Sequence, residues 1–487
     1  MNSDNLKKKA FSGMIWKFLE RICAQMVSLI VSIILARILM PNDYSVVSIV
    51  TIFFAFCNVF ISGGLNTALI QKKDADAEDY STVLHTSMLI ALILYIIMFF
   101  SAPAIANLYD KQILVPVIRI MSLTFFINAF KSILSAYTSS NLQFRKFFFS
   151  TIIGTVVSAF VGIYIAVNGY GVWALVAQQM TNSFLDTLIL YFSTKYKILF
   201  KFSFKKLKIL FNYGWKIFVS SIISVIYDQI NPLIVGVKYT ANDLAYYNKG
   251  QNYPGLINST ISDTLQSVLF PIMSKVQDDK EVVLNVTRKY IKTASYIIFP
   301  MMIGLFSVSD VFVEVVLTEK WLPIVPYIQI FCFSYMLNII QVGNLQAIKA
   351  IGRSDITLIL EIVKKSFYFI IIVIFVFISK SPIVLALSSV VCTIFATLVN
   401  TYPNRKLLGY KYRYQLNDLL PNLIISILMG ISVYFVKYIE MSKVLLLLLQ
   451  VFIGIFVYIL LSIITKNENL YYLIDYVKLY FRKSGAK

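Results

Sequence analysis

Apolar runs of about 20 residues, each long enough to cross a bilayer, recur from one end of this 487-residue chain to the other. Few folds are open to such a pattern. Lipid offers backbone N–H and C=O groups no partners, which leaves helical bundles and closed barrels. Barrel strands alternate apolar and polar residues over about 10 positions; here the runs are continuous, so the expectation is an all-α polytopic membrane protein. Only 14% of the residues are charged, against about 25% in a soluble domain. Fourteen spans are predicted, at roughly 14–38, 44–69, 83–106, 113–139, 147–167, 171–192, 211–236, 244–273, 293–317, 325–348, 356–378, 383–402, 419–436 and 444–465. The first run follows Lys7-Lys8-Lys9, as in a signal peptide. It is too long, lacks a convincing cleavage site and contains Glu20-Arg21, so it reads as a mature helix.

The formal charge of +20 does not point to nucleic acid, because no loop is long enough to fold a basic, water-exposed surface. Lysine and arginine instead crowd the segments that lie inside if the N-terminus is cytoplasmic. The densest is Lys195 to Lys208, with six lysines. This positive-inside bias predicts cytoplasmic N- and C-termini. Cys23, Cys57, Cys332 and Cys392 sit in apolar runs without ligand spacing, and the one histidine, His85, has no metal-ligand neighbours. No phosphate-cradling glycine loop, nucleophile elbow or HExxH motif occurs. The sequence therefore predicts a protein that moves a cargo, not an enzyme, with no metal and no organic cofactor.

One stretch organises the rest. Phe211 to Pro232 is apolar enough to span, yet carries Lys216 near one end and Asp228 near the other, with Ser220, Ser224, Tyr227 and Asn231 between them on one helical face. Trp215-Lys216 opens it as Trp16-Lys17 opens the first span, at an offset of 199; Ala241-Asn242-Asp243 follows it as Pro41-Asn42-Asp43 follows the first, at an offset of 200. Six spans per half is an even number, so both halves enter the membrane in the same direction. That is a parallel repeat, a transporter architecture with its site between the halves. The predicted organisation is a first lobe at 1–193, a cytoplasmic interfacial linker at 194–212, a second lobe at 213–403, two extra helices at 404–465 and an amphipathic cytoplasmic tail at 466–487. In the linker, lysines alternate with Phe200, Phe202 and Phe204. That suits either a short helix on anionic headgroups or a solvated elbow.

The first span carries Lys17, Arg21, Gln25, Ser28 and Ser32 at helical spacing. Lys17 can snorkel to the inner interface. Arg21 lies about 10 Å along the helix, where two readings fit: a structural ion pair with Glu20 and neighbours, or a water-filled cavity. The second span has Thr51, Asn58, Ser62 and Asn66 on one face, the fourth carries Arg119 and Lys131, and the sixth has Asp186 as its only charge. The eighth contains Lys249 and Asp263. Asp310 and Glu314, four apart at the outer end of the ninth, fit a cation site or an aqueous interface.

In order, Leu35-Ala36-Arg37-Ile38-Leu39-Met40-Pro41-Asn42-Asp43-Tyr44, Gly63-Gly64-Leu65-Asn66-Thr67-Ala68-Leu69-Ile70-Gln71, Asp79-Tyr80-Ser81-Thr82-Val83, Asn141-Leu142-Gln143-Phe144-Arg145-Lys146 and Leu269-Phe270-Pro271-Ile272-Met273-Ser274-Lys275 form a collective signature. The chain resembles the polysaccharide transporters, or oligosaccharide-lipid flippases, of the multidrug/oligosaccharidyl-lipid/polysaccharide (MOP) exporter superfamily. Within it, the colanic and teichuronic acid exporter type is closest. The resemblance implies two six-helix lobes in a V plus two helices, and alternating access in the bacterial cytoplasmic membrane. It implies an undecaprenyl-pyrophosphate-linked oligosaccharide as cargo, with a polysaccharide polymerase and glycosyltransferases as partners. A pyrophosphate needs cations inside the membrane. Arg21, Lys17, Lys131 and Lys216 are candidates toward the inner side, and Arg119 and Lys249 toward the outer. Glu20, Asp228 and Asp263 are candidates for a gate or for coupling to H+ or Na+. A drug or metabolite antiporter of the same superfamily is the alternative, and a glycan polymerase a distant third.

Overall fold

The computed structural model describes residues 3–472, apart from 63, 73, 142, 195, 197, 198 and 276–278. The side chains of 3–15, 18, 263–272, 274, 275 and 354 also lie outside the described set. The helices are α1 (Ser3–Ile38), α2 (Pro41–Ser62), α3 (Leu65–Gln71), α4 (Ala77–Leu108), α5 (Leu114–Met121), α6 (Thr124–Ser140), α7 (Phe144–Val167), α8 (Val172–Thr194), α9 (Phe204–Lys238), α10 (Ala241–Lys275), α11 (Lys280–Val316), α12 (Val325–Ala350), α13 (Ser354–Ile378), α14 (Pro382–Leu407), α15 (Tyr412–Phe435) and α16 (Lys443–Ile464). Among the described residues no strand occurs, and eleven helical segments are long and apolar enough to cross a membrane. The predicted sixth, eighth and eleventh spans, now α8, α10 and α13, fall outside that set. Their polarity is the reason: α8 holds Gln178, Gln179, Asn182 and Asp186, and α13 crowds Glu361, Lys364 and Lys365. The tail's predicted amphipathic face at Ile474, Val477 and Phe481 lies outside the described residues.

The repeat is visible in each half by itself. Where α1 gives way to α2, the Met40 N–H donates to Asp43 Oδ2 at 2.9 Å. Where α9 gives way to α10, the Thr240 N–H donates to Asp243 Oδ2 at 3.0 Å. The same aspartate closes the same turn 200 residues later. In the first half α6 packs on α4 and α8, and α7 on α8; in the second, α12 packs on α11 and α14, and α13 on α14. The two helices beyond the repeat, α15 and α16, pack on α11.

The chain forms two compact units, Met1–Ala245 and Tyr246–Lys487. The boundary thus falls inside α10, not at the predicted linker, and α9, expected to open the second lobe, packs on α2, α3 and α4. The cause is local. Gly64, at φ +86°, interrupts the second span between α2 and α3, and a Cβ there would stand 2.1 Å from the Gly214 carbonyl oxygen. Two backbones meet where neither carries a side chain. Next to this crossing, Phe218 stacks edge-on against Phe60 at 5.1 Å, and Leu207 and Leu210 join a core of Leu65, Leu69, Tyr80, Ile133 and Leu190.

Of the described part of the linker, residues 204–212 are the first turns of α9. Residues 199–203 carry no helix or strand and are strapped to the start of α4. The Ser81 hydroxyl donates to the Lys201 carbonyl at 2.7 Å, and the Ser203 N–H donates to Thr82 Oγ1 at 3.2 Å. Lys206 pairs with Asp76 at 2.5 Å and Glu78 at 2.8 Å. Asp76 also caps α4, exchanging hydrogen bonds with Asp79. Lys206 pulls the Asp76 carboxyl down to about 2. An acid so depressed stabilises its partner contacts fully above about pH 4 and loses them only as pH falls through its folded value, so the strap stays charged under all physiological conditions.

In the second unit Arg288 holds Asp418 bidentately, Nε to Oδ2 and Nη2 to Oδ1, both at 2.8 Å. The Tyr410 hydroxyl donates to Asp418 at 2.8 Å. Asp418→Ala leaves a half-exposed guanidinium and a buried hydroxyl without their acceptor. The expected cost is about 2–3 kcal/mol, read as a lower melting temperature of the purified protein. Asp310 and Glu314 are each paired with a lysine, Lys437 and Lys443 respectively. They join α11 to the α15–α16 connection, and the pairs account for both acids without a cation site.

Candidate functional site

Two helices stand apart by what they leave uncovered. Among the eleven apolar segments, those of α1 and α9 are the least buried, with 17% and 11% of their most apolar windows covered. These are the helices that open the two repeats. The uncovered surface mixes apolar side chains, Met26 and Ile30 on α1 and Val219 and Ile223 on α9, with polar ones: Lys17, Arg21 and Ser28 are exposed on α1, and on α9 the row Lys216, Ser220, Ser224 and Asp228, at strict steps of four, is exposed throughout. Each helix is packed elsewhere along its length, at Val31 and Leu35 on α1 and at Leu210 and Gly214 on α9. An uncovered apolar face suits lipid. A row containing an ammonium, two hydroxyls and a carboxylate needs water.

The other predicted site residues have different surroundings. Lys17 Nζ pairs with Glu20 at 2.8 Å and lies 4.4 Å from the centre of the Phe147 ring. Glu20 also accepts from the Thr151 hydroxyl at 3.1 Å. Through Glu20 these contacts tie α1 to α7. Arg119 Nε donates to the Phe99 carbonyl at 3.3 Å, and its guanidinium lies over the Phe99 ring at 4.1 Å, fastening α5 to α4. Lys131 pairs with Asp186 of α8 at 2.6 Å. Its neighbour one turn back, Asn128, donates to Asn58 Oδ1 at 3.0 Å, so the polar face of α2 meets that of α6. In the second unit Lys249 is buried, 4% exposed, with its ammonium 5.6 Å from the Trp321 ring centre. The Asp263 side chain lies outside the described residues. The structure thus brings Lys131 to Asp186 and Lys17 to Glu20, and leaves Arg21, Lys216 and Asp228 exposed. Sequence reasoning noted Asp186 but gave it no role. Its signal was Asn182 one helical turn earlier, two polar groups on one face of a span.

The bundle has a fold that is found in the MOP superfamily. It aligns with the lipid II flippase MurJ in an inward closed conformation at a TM-score of 0.75 and 18% identity, over 94% of this chain and 99% of that one. An inward-facing MATE-family multidrug transporter of the same superfamily aligns at 0.61 and 15%, over 79% and 94%. The family described as "Polysaccharide biosynthesis protein" matches residues 34–326, and the chain belongs to it. Relatives include an uncharacterized membrane protein in the cps region of Klebsiella pneumoniae, 25% identical over 96% of this chain and 97% of that protein. The lipopolysaccharide biosynthesis protein WzxC of Escherichia coli is 24% identical over 88% and 89%. The teichuronic acid biosynthesis protein TuaB of Bacillus subtilis is 24% identical over 72% and 73%.

Proposed function

We propose that the protein is a flippase for a polyprenyl-pyrophosphate-linked oligosaccharide, the undecaprenyl carrier being the expected lipid. It would move the repeat unit from the inner to the outer leaflet of the cytoplasmic membrane for surface polysaccharide assembly. The observation that carries this reading is the set of exposed polar side chains on each of the two repeat-opening helices, α1 and α9, with Arg21 on one and Lys216 on the other. Cargo of this kind has a sugar and a diphosphate that must cross lipid, and a polyprenyl tail that need not leave it. A polar, water-lined path answers the first need. Arg21 and Lys216 answer the diphosphate: an arginine fork and an ammonium make charge-assisted hydrogen bonds roughly twice as strong as neutral ones. The relatives named for lipopolysaccharide, teichuronic acid and lipid II support the cargo class. The basic inventory disfavours cationic drugs, which need acidic cavities. Alternating access between the two repeats would carry the headgroup across, with no bond made or broken.

Deleting the gene tests the proposal. The expected result is lipid-linked repeat units trapped, unpolymerised, on the cytoplasmic face. Normal surface glycan with new drug sensitivity would favour the antiporter. Repeat units that reach the outer face but stay unpolymerised would point to an enzyme.

A further inference from the structure

Among the described residues three acidic side chains are buried: Asp79, Asp186 and Asp418. Two are fully used. Asp79 takes Lys72 on both oxygens, at 2.6 and 2.7 Å, and the Asp76 N–H at 3.0 Å. Asp418 takes Arg288 on both oxygens and the Tyr410 hydroxyl on one. Asp186 differs. It is 5% exposed, its Oδ2 is held by Lys131 at 2.6 Å, and its Oδ1 is buried with no partner. Asn182, one turn earlier on α8, has its Oδ1 buried and unpartnered as well. Both face α7 at Gly154, where a Cβ would stand 3.3 Å from Asn182 Oδ1 and 3.3 Å from Asp186 Cβ. α7 comes so close there that even a Cβ would be crowded.

A buried ion pair adds stability only when its remaining lone pairs are satisfied, and a buried acceptor left unmade costs about 1–3 kcal/mol. Here two acceptors stand at i and i+4, within side-chain reach, and one donor is lacking. A proton on Asp186 supplies it: the new O–H donates to Asn182 Oδ1, and one event satisfies both oxygens. The same proton removes the charge that holds Lys131, whose side chain is 36% exposed and so within reach of an anion. We propose that Asp186, with Asn182, is a proton-binding site whose occupancy hands Lys131 to the phosphates of the cargo headgroup. The proposal rests on the flippase reading for its anion. Protonation and headgroup binding then favour each other, by the same factor in each direction. While Asp186 is ionised it competes for Lys131, which keeps the headgroup from being held too tightly to leave.

No other charge near Asp186 has that role. α8 packs on α2, α5, α6 and α7. On α2, Asp43 is engaged at the Met40 turn; on α5, Arg119 lies on Phe99. On α7, Arg145 stacks on Trp16, and Lys146 shares that helix's first turn. The remaining titratable groups on these helices are Cys57, Tyr44, Tyr137 and Tyr164, with Tyr191 on α8. Lys131 is the charged partner that faces Asp186.

The test is calorimetric titration of the purified protein with inorganic pyrophosphate, in two buffers of different ionisation enthalpy, near pH 6.5. Wild type is expected to take up on the order of one proton more per pyrophosphate than Asp186→Asn, following the one-site linkage. Asp186→Asn, a mimic of the protonated acid, should bind about tenfold tighter, which is about 1.4 kcal/mol. Asn182→Leu keeps the carboxylate but removes its acceptor and should lower the linked uptake; it shows that the effect is not one of charge alone. Equal proton uptake by wild type and Asp186→Asn, with both still binding, overturns the proton site and leaves the flippase reading intact. Wild type that binds no pyrophosphate at any pH overturns the headgroup site itself, and this inference with it.

Discussion

Arg21→Ala and Lys216→Ala should each slow export about tenfold, and the double variant about a hundredfold, with insertion and yield unchanged. A hydrogen bond to a charged group contributes about 1.5–3 kcal/mol, and 1.4 kcal/mol is a factor of ten. Both side chains are exposed, so neither truncation opens a cavity in the packed interior. They sit on different helices, α1 and α9, and each truncation removes its own charge-assisted hydrogen bond to the diphosphate. The readout is the rate at which surface glycan appears, normalised to folded protein in the membrane. Arg21→Lys should recover less than half of the loss, because an ammonium lacks the planar fork that grips phosphate. Full export by the double variant would remove both residues from the path.

Gly214→Val should damage the fold of the first unit severely. A Cβ at Gly214 would lie 2.8 Å from the carbonyl carbon of Gly64 and 2.9 Å from its oxygen. Those atoms are backbone, so no rotamer relieves the clash. Overpacking costs about 1–3 kcal/mol, and a branched side chain at a backbone crossing belongs at the top of that range. The further consequence is for α9, which would be pushed off Leu65, Leu69 and Tyr80. Melting of the purified protein should fall by several degrees, and export should fall with it. Gly255→Ala is the control: its nearest neighbour would be the Tyr335 hydroxyl at 3.5 Å, an ordinary contact, and melting should not change.

These two experiments separate what the sequence makes legible from what it hides. The repeat was legible because matching turns need matching residues: Asp43 and Asp243 close the same bend, and a turn aspartate is a local requirement. The polar row of α9 was legible because steps of four are a local property of a helix. Tertiary partners are not local. Lys131 and Asp186 were each visible as intramembrane charges, yet nothing along the chain says that α6 lies against α8. Gly64 and Gly214 read as two of many glycines until their backbones meet. For the same reason α9 was assigned to the second half on sequence kinship, while its packing places it with α2, α3 and α4. Kinship records the duplicated pattern, and packing records where the present surface fits. Composition shows the linker's phenylalanines and lysines but not its partners: Ser81 and Thr82 of α4 bind its backbone, and Asp76, which caps α4, binds the Lys206 side chain.

The most direct test of the account is transbilayer movement of the cargo itself. The purified protein would be reconstituted into vesicles with a fluorescently labelled undecaprenyl-pyrophosphate oligosaccharide in both leaflets, and the label outside destroyed with a membrane-impermeant reagent. With a flippase present, the inner pool should become accessible within minutes, and the Arg21→Ala, Lys216→Ala double variant should slow this about a hundredfold. If half of the label stays protected in wild-type vesicles, as it does in protein-free ones, the protein does not move this lipid.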